Sequence, residues 1–584
     1  MTLFLGWLGY IKDGSFFKEK ESEKFLIFKE KDMGFILKGE GLVGEGEIKF
    51  LIDGKILNNN YFEDNIINSY KNYEEKLFEK LEGYYALSFI DFQNKNLTLA
   101  RDIFGSKFLY YYLNKNFIVF SNDLNLLKKF PGIELSIDKQ AFYDYISLFF
   151  IPAPLTFYYK IKALLPGEFL KAKIIGKSEI EIVKKRYYKW DYFIEKKLHL
   201  KEALKKLETI FEESIKKNLN EKRDIACLLS GGLDSSLVAY FSKKNIKGNV
   251  FSYNVKFKEK FYDESQDAHK VSKYIGTEHK TIEIDKLEKK LEDILDILKI
   301  YGQPFADSSL FPSNYIFKAI SSNQREILTG EGGDEAFGIN PIFFKVSILS
   351  FFPFMNLFYI FSKILSAFRF IPSSYVQKIK EFTQNDSVAN LQTVYTWVRK
   401  EEHKKLILFE SQEPLRRYFE PYVNFSKLKG FDFISLLSTK NLIENFLPND
   451  FLYKMEIASR NQNLILIHPF LNKELFQFGI SLPLKMKKEK LILKELAKKF
   501  FPKEIYKKKK KGFGIPFDTW VGQDLKKDIV FYLREKLKVL KDYLNVDILN
   551  QWINSFFYDE KIKNISRMGL YQRIVMLLSL SVHL

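Results

Sequence analysis

The sequence predicts a sheet-rich N-terminal domain, then an α/β domain on a parallel, doubly wound sheet, and a mainly helical C-terminal part. Three observations predict it. To about Trp190 the chain is a series of short apolar or alternating runs separated by turn residues. From Lys201 to Thr329 strand-like runs alternate with helix-like ones, and from about Asn340 helical spacing dominates. At 584 residues the chain exceeds the ~250–300 at which one core usually splits, so two or more domains are expected.

In the first part, up to residue 190, the strand-like runs are LVGEGEIKFLIDGKI, YYALSFIDF, NLTLARDIF, KFLYYYL and NFIVFSND. A polar segment from Asp191 to Leu200 follows and sets the expected boundary, giving domains 1–190 and 191–584. Lys201–Asn218 carries Leu204, Leu207, Ile210 and Phe211 at helical spacing. Beyond it come the strand IACLL, a Gly-rich turn and a helix starting near Ser236. NVFSYNV, a helix from Glu264, KTIEI, a helix near Leu287 and the strand REILT complete the alternation.

Composition narrows the class. A hydrophobic fraction of 46% and an aromatic fraction of 16% exclude a disordered or low-complexity chain. The net charge of +19 fits an acidic ligand such as ATP, an anionic surface or simply a Lys-rich solvated exterior. No zinc-ligand spacing, helicase motif or basic-aromatic alternation points to nucleic acid. The single cysteine, Cys227, forbids an intramolecular disulfide and reads as a small buried strand residue rather than a nucleophile. Without a basic n-region before an apolar run at Met1, no signal peptide is expected, and the cytoplasm is the expected compartment. The apolar stretch 346–362, between Lys345 and Lys363, is short for a span and holds Pro353 and Asn356. It reads as buried or interfacial helix, with membrane-surface contact not favoured.

Two Gly-rich turns carry the chemistry. Ser230-Gly231-Gly232-Leu233-Asp234-Ser235-Ser236 lies between a strand and a helix, where backbone N–H groups and the helix N-terminus suit a phosphate. The spacing is neither that of a Walker loop nor a GxGxxG turn. The second turn, Gly330-Glu331-Gly332-Gly333-Asp334-Glu335, could reach across a sheet crevice to share a hard cation with Asp234.

SGGLDS resembles the pyrophosphate loop of the ATP pyrophosphatases. In order and spacing the two turns together resemble the synthetase domain of the asparagine synthetases, as do Tyr262-Asp263-Glu264, Tyr274 to His279 (YIGTEH) and Gln303-Pro304-Phe305-Ala306-Asp307. The resemblance implies an α+β, Ntn-type glutaminase-like sandwich followed by an α/β ATP-pyrophosphatase domain with a helical C-terminal part. It implies ATP and Mg²⁺, with Asp234 and Asp334 on the metal and Ser230, Gly231, Gly232, Asp234 and Ser235 on pyrophosphate. Leu228, Val255 and Gly330 would line the AMP pocket; Glu331 would assist the attacking amine; and Lys510, ahead of Gly512-Phe513-Gly514, would stabilise the transition state. Lys509 and Lys511 are alternatives if the alignment slips.

The N-terminal half departs from the family pattern. Where active members carry CGIxG this chain reads Leu5-Gly6-Trp7-Leu8-Gly9, the NGE turn is Asp53-Gly54-Lys55, and Phe62 falls at the position of a glutamine-holding aspartate. The scaffold segments LEGYYALSFID, LARDIFGSKFLYYY and Leu165-Pro166-Gly167-Glu168 still resemble the family. A glutaminase that has lost its nucleophile is therefore expected, since no thiol stands in that register. A further family segment is matched by Lys454-Met455-Glu456-Ile457-Ala458-Ser459-Arg460 and Leu464 to Asn472 (LILIHPFLN), where the family's Arg becomes Ile467 and its acidic residue Leu466 or its neighbour, which argues against free aspartate as substrate. His468 reads as a packed histidine.

Four readings follow. The first is a lasso-peptide-cyclase-like enzyme that closes a macrolactam on a precursor peptide, with a leader-peptide protease as a partner. The second is ammonia-dependent amidation of aspartate or another small carboxylate. The third, β-lactam formation, is disfavoured because Glu331 is retained. The fourth, a scaffold without catalysis, is disfavoured because the phosphate and Mg²⁺ residues are intact.

Overall fold

The computed structural model describes residues 2–9, 15–30, 32–43, 46–58, 66–175, 179–219, 223–260, 263–284, 290–320, 324–339, 355–367, 396–398, 400–410, 431–507, 523–562 and 565–584. Its N-terminal strands are β1 (Leu3–Gly9), β2 (Leu26–Glu30), β3 (Met33–Lys38), β4 (Leu42–Val43), β5 (Ile48–Ile56) and β6 (Gly83–Asp91). They are followed by β7 (Asn96–Arg101), β8 (Tyr110–Leu113), β9 (Phe117–Ser121), β10 (Ile161–Ala163), β11 (Glu168–Ile175) and β12 (Glu179–Arg186). They form two six-stranded sheets, ordered β10-β8-β9-β1-β3-β2 and β12-β11-β7-β6-β5-β4.

Strand alternation explains how the sheets stack. Phe4 and Leu8 of β1, Phe35 of β3 and Phe120 of β9 pack between the sheets against Leu51 of β5, Ile90 of β6 and Leu99 of β7. Leu5 and Trp7 point the other way, into a cluster with Leu124, Leu127, Phe142 and Tyr145 from the helices Leu124–Lys128 and Lys139–Leu148. The outer face of the second sheet, with Phe50, Leu87 and Phe89, is covered by Ile66, Leu77 and Phe78. The result is a helix–sheet–sheet–helix sandwich, and β1, buried on both faces, is apolar at nearly every position.

The second sheet system is wholly parallel. β13 (Ile225–Leu228), β14 (Val250–Phe257), β15 (Glu278–Ile284), β16 (Glu326–Leu328) and β17 (Ile465–Ile467) lie in the order β15-β14-β13-β16-β17. The chain grows outward from β13 to β15, then returns to the other side of β13 with β16, so a topological switch lies between β13 and β16. Ile225 and Cys227 face one cluster with Leu207, Phe211 and Phe241, while Ala226 faces another with Tyr253, Ile327 and Leu310. The helix expected over Lys201–Asn218 is Leu200–Asn218.

Two helix starts are corrected, and one strand is added to the expected pattern. The helix placed near Ser236 begins at Leu233, which brings Asp234 and Ser235 into its first turn, where a carboxylate favours the helix dipole. The helix placed near Leu287 is observed as Leu291–Lys299, and 285–289 lie outside the described residues. The C-terminal part, though helical, also supplies β17, whose apolar LILI run cannot be told from a buried helix segment by periodicity alone. Hydrophobic packing runs across residue 190: Tyr84, Phe104 and Trp190 join the cluster of Leu207, Phe470 and Phe476.

Candidate active site

β13 delivers the first turn to the carboxyl edge of the sheet. Leu229 N–H still donates to the Tyr253 carbonyl at 2.8 Å, and beyond it the chain leaves the ladder at Ser230. Gly231 has φ +72°, and a Cβ there would lie 2.7 Å from the Ala268 nitrogen, so only glycine lets the loop pass the helix Ser265–Ile275 this closely. The loop is braced by its own hydroxyls. Gly232 N–H donates to Ser230 Oγ at 3.2 Å, and the Ser235 and Ser236 hydroxyls donate to the Gly232 carbonyl at 3.2 and 2.7 Å. Gly232 caps Leu233–Asn245 without a side-chain bond, which leaves N-terminal N–H groups for an anion.

β16 delivers the second turn beside the first. Thr329 N–H donates to the Ile467 carbonyl at 2.9 Å, and Glu331 N–H to Thr329 Oγ1 at 3.3 Å. A Cβ on Gly333 would stand 2.8 Å from Asp234 Cγ, and one on Gly330 3.2 Å from Asp234 Cβ. Glycine at both positions is what lets the turns touch. The structure thus brings Ser230, Gly231, Gly232, Asp234, Ser235, Gly330, Glu331 and Asp334 to the switch point. Leu228 stands half-buried at the end of β13, and Val255 is buried in neighbouring β14. Lys510, like Lys509, Lys511, Tyr262 and Phe62, lies outside the described residues.

One central residue was not found from sequence. Lys490 Nζ reaches both Asp234 Oδ2 and Asp334 Oδ1, the latter at 2.7 Å, from a backbone in the left-handed region at φ +55°. In a chain with 92 Lys and Arg, no local signal distinguishes this lysine. Magnesium is commonly held by one or two carboxylates together with phosphate oxygens and water. Asp234 and Asp334 supply such a pair, a cation already bridges them, and the donor set fits. Among the described residues no group of three or more His, Cys, Asp or Glu side chains is gathered to hold a metal alone. Behind them, burial, and after it Asp334 and Glu331, push the Glu335 carboxyl up to about 8.

A second polar group adjoins Glu331. Lys454 Nζ lies 2.7 Å from Asp307 Oδ2, and Ser309 donates to Asp307 Oδ1 from its N–H at 2.9 Å and its hydroxyl at 2.8 Å. Burial works against the Asp307 charge, but Lys454 outweighs it and holds the carboxyl below its ordinary range. Burial and then Asp307 push Asp450 well above that range. The Glu331 charge bears on both Asp450 and Lys454. Asp307 and Lys454 were each legible as part of a family-like segment; Asp450 was not singled out.

In the N-terminal sandwich Leu5 and Asp53 are both buried. Leu5 is fully buried, with backbone partners Ile36 and Ser121 on the flanking strands. Asp53 is 1% exposed, accepts from Asn122 Nδ2 at 2.9 Å, and is ion-paired with Arg460 at the end of the helix Leu452–Arg460. Burial raises its pKa, but the Arg460 charge prevails and the carboxyl stays ionised below its ordinary range. Arg460 also donates to the Asn122 carbonyl at 2.6 Å. A buried Lys107–Glu456 pair at 2.7 Å joins the same helix to the sandwich.

Two remaining residues behave structurally. Cys227 is buried in β13 and burial pushes its thiol up to about 12, which leaves no thiolate at neutral pH. His468 is 2% exposed, bonded through Nδ1 to Thr329 Oγ1 at 2.7 Å, and burial pushes it down to about 3. Among the described residues no helix is long and apolar enough to cross a membrane.

Residues 206–570 match the family model described as asparagine synthase, and residues 62–188 that of a glutamine amidotransferase domain. The chain is 24% identical over 502 residues to glutamine-hydrolysing asparagine synthetase 1 of Bacillus subtilis strain 168, covering 82% of this chain and 75% of that relative. It is 29% identical over 276 residues to a putative asparagine synthetase 2 of Methanocaldococcus jannaschii, covering 45% and 52%. A mouse asparagine synthetase matches at 29% over 316 residues, covering 50% of each chain. The last two matches span about half the length of those relatives.

Proposed function

From the premise that this chain belongs to the asparagine synthase family, we propose that it forms an amide through an acyl-adenylate, using an amine that its substrate brings. A carboxylate oxygen attacks the α-phosphorus of ATP and pyrophosphate leaves; the amine then attacks the acyl carbon and AMP leaves. The favoured reaction is closure of a macrolactam: a precursor peptide's Asp or Glu side chain is activated, and its own α-amine attacks.

The observation that carries the adenylation reading is the meeting of the two turns at the β13–β16 switch point, with Lys490 spanning Asp234 and Asp334. The Ser230–Ser235 loop would take pyrophosphate on its N–H groups, and Lys490 would offset charge as it leaves. Asp234 and Asp334 would hold Mg²⁺, which neutralises charge on the phosphates when bound. Leu228, Val255 and Gly330 would line the adenosine side. Glu331, with the Asp307–Lys454–Asp450 group beside it, would orient the attacking amine and receive its proton. Lys510 would supply a further cation.

The absence of glutamine hydrolysis is supported by Leu5 in the nucleophile register, by the inert Cys227 and by the Asp53–Arg460 pair. The relatives are named glutamine-hydrolysing asparagine synthetases, which favours amidation of aspartate or another small carboxylate as a second reading; with Leu5 in the nucleophile register that reading takes ammonia directly. Pyrophosphate exchange into ATP separates the two. With the full chain, exchange stimulated by a candidate precursor peptide and not by aspartate is the expected result. Stimulation by aspartate overturns the peptide reading, and exchange with no carboxylate tested removes adenylation itself.

A further inference from the structure

In the helix Met355–Ala367 three large apolar side chains face outward and a small polar one faces inward. Ile360, Phe361 and Ile364 are 54%, 57% and 50% exposed, whereas Ser362 is 3% exposed and donates its hydroxyl to the Tyr359 carbonyl at 2.7 Å. At about 100° per residue, positions 360, 364 and 361 form one continuous arc and 362 lies nearly opposite it. Exposed Lys363 borders the arc. Contiguous exposed apolar side chains of this size mark an interaction surface.

Charge selects the partner. From Ala336 to Lys380 the sequence holds no Asp or Glu, while Lys345, Lys363, Arg369, Lys378 and Lys380 are cationic, in a chain of net charge +19. A second copy of this surface would repel the first, and an uncharged apolar groove would make no use of the cations. An anionic lipid surface satisfies both features: acyl chains take the apolar arc and headgroup phosphates take Lys363. The helix has 13 residues, about 20 Å of length, so it can lie in an interface and not cross one.

We propose that Met355–Ala367 docks the enzyme on an anionic bilayer, with Ile360, Phe361 and Ile364 at the boundary between headgroups and acyl chains and Lys363 at the phosphates. This assignment is independent of which carboxylate the enzyme activates.

Co-sedimentation of the full chain with phosphatidylglycerol-containing vesicles, and with vesicles of phosphatidylcholine alone, tests it. The expected result is binding to the anionic vesicles that weakens with salt and falls about tenfold or more when Ile360→Glu, Phe361→Glu and Ile364→Glu are combined. Lys363→Glu alone should weaken it severalfold while leaving the thermal midpoint unchanged, which guards against misfolding of the triple variant. A tryptophan at Phe361→Trp should shift to the blue on adding the anionic vesicles only. Equal binding of the triple variant and the natural protein overturns the proposal, as does equal binding to neutral vesicles. Absence of vesicle binding, with self-association that the triple variant abolishes, would instead assign the face to a second copy and also overturn it.

Discussion

Asp53 in the N-terminal sandwich and Asp234 at the edge of the parallel sheet each hold a cation supplied by the C-terminal part. The side chains of Asp53 and Arg460 are 2% and 5% exposed, and Asn122 also bonds Asp53, so the pair is buried. Asp234 and Lys490 are 15% and 13% exposed, and the third member, Asp334, is 41% exposed. A sealed pair of charges is structural, because separating it strands a charge in low dielectric. A pair at the mouth of a crevice can be reorganised by an incoming anion and its metal. The same kind of ion pair is therefore sealed in one half and accessible in the other.

The comparison breaks most sharply at Asp234. Asp234→Ala should lower pyrophosphate exchange about 10³-fold with an unchanged circular dichroism spectrum, because the residue holds charge for the reaction and not for the fold. At the sealed pair the effect should fall on stability. Arg460→Met leaves Asp53 buried and unpaired and should cost about 3–5 kcal/mol, read as a lower unfolding midpoint. Adding Asp53→Leu should restore most of it. Failure of that rescue would mean that Arg460 has a role beyond the pair.

Much of this contrast was legible beforehand. Both Gly-rich turns announce themselves by composition, and the strand before each is short and apolar, so the switch-point site could be placed from sequence. The missing thiol at Leu5 was equally plain. The pairings of Lys490 and Arg460 were not, since a lysine among lysines carries no local signal and each acts on a partner far away in sequence: 256 residues for Asp234 and 407 for Asp53. β17 was hidden for a related reason, because three apolar residues have no period, and its pairing with β16 is a tertiary fact.

Two smaller effects sharpen the account. Lys490→Met should reduce exchange by about 10²-fold, less than Asp234→Ala, because Mg²⁺ supplies part of the same compensating charge. Two buried histidines are also kept neutral: burial pushes His403 and His468 down to about 3. The unfolded chain takes up protons at these sites near its ordinary 6.5, while the folded chain does not until about 3. Their stabilising contribution is thus present above 6.5 and lost as pH falls through the window between those values, by about 1.4 kcal/mol per histidine per pH unit well inside it. The unfolding midpoint should drop between pH 7 and 5, and His468→Gln should make that drop shallower.

The central claim is that one half forms amides while the other no longer hydrolyses glutamine, and one ratio tests it directly. With Mg·ATP, the substrate that supports exchange and excess glutamine, glutamate released is measured against AMP formed by the full chain. The account predicts AMP and amide product with no glutamate above the level of a protein-free control. One glutamate per AMP would contradict it, and so would the absence of AMP.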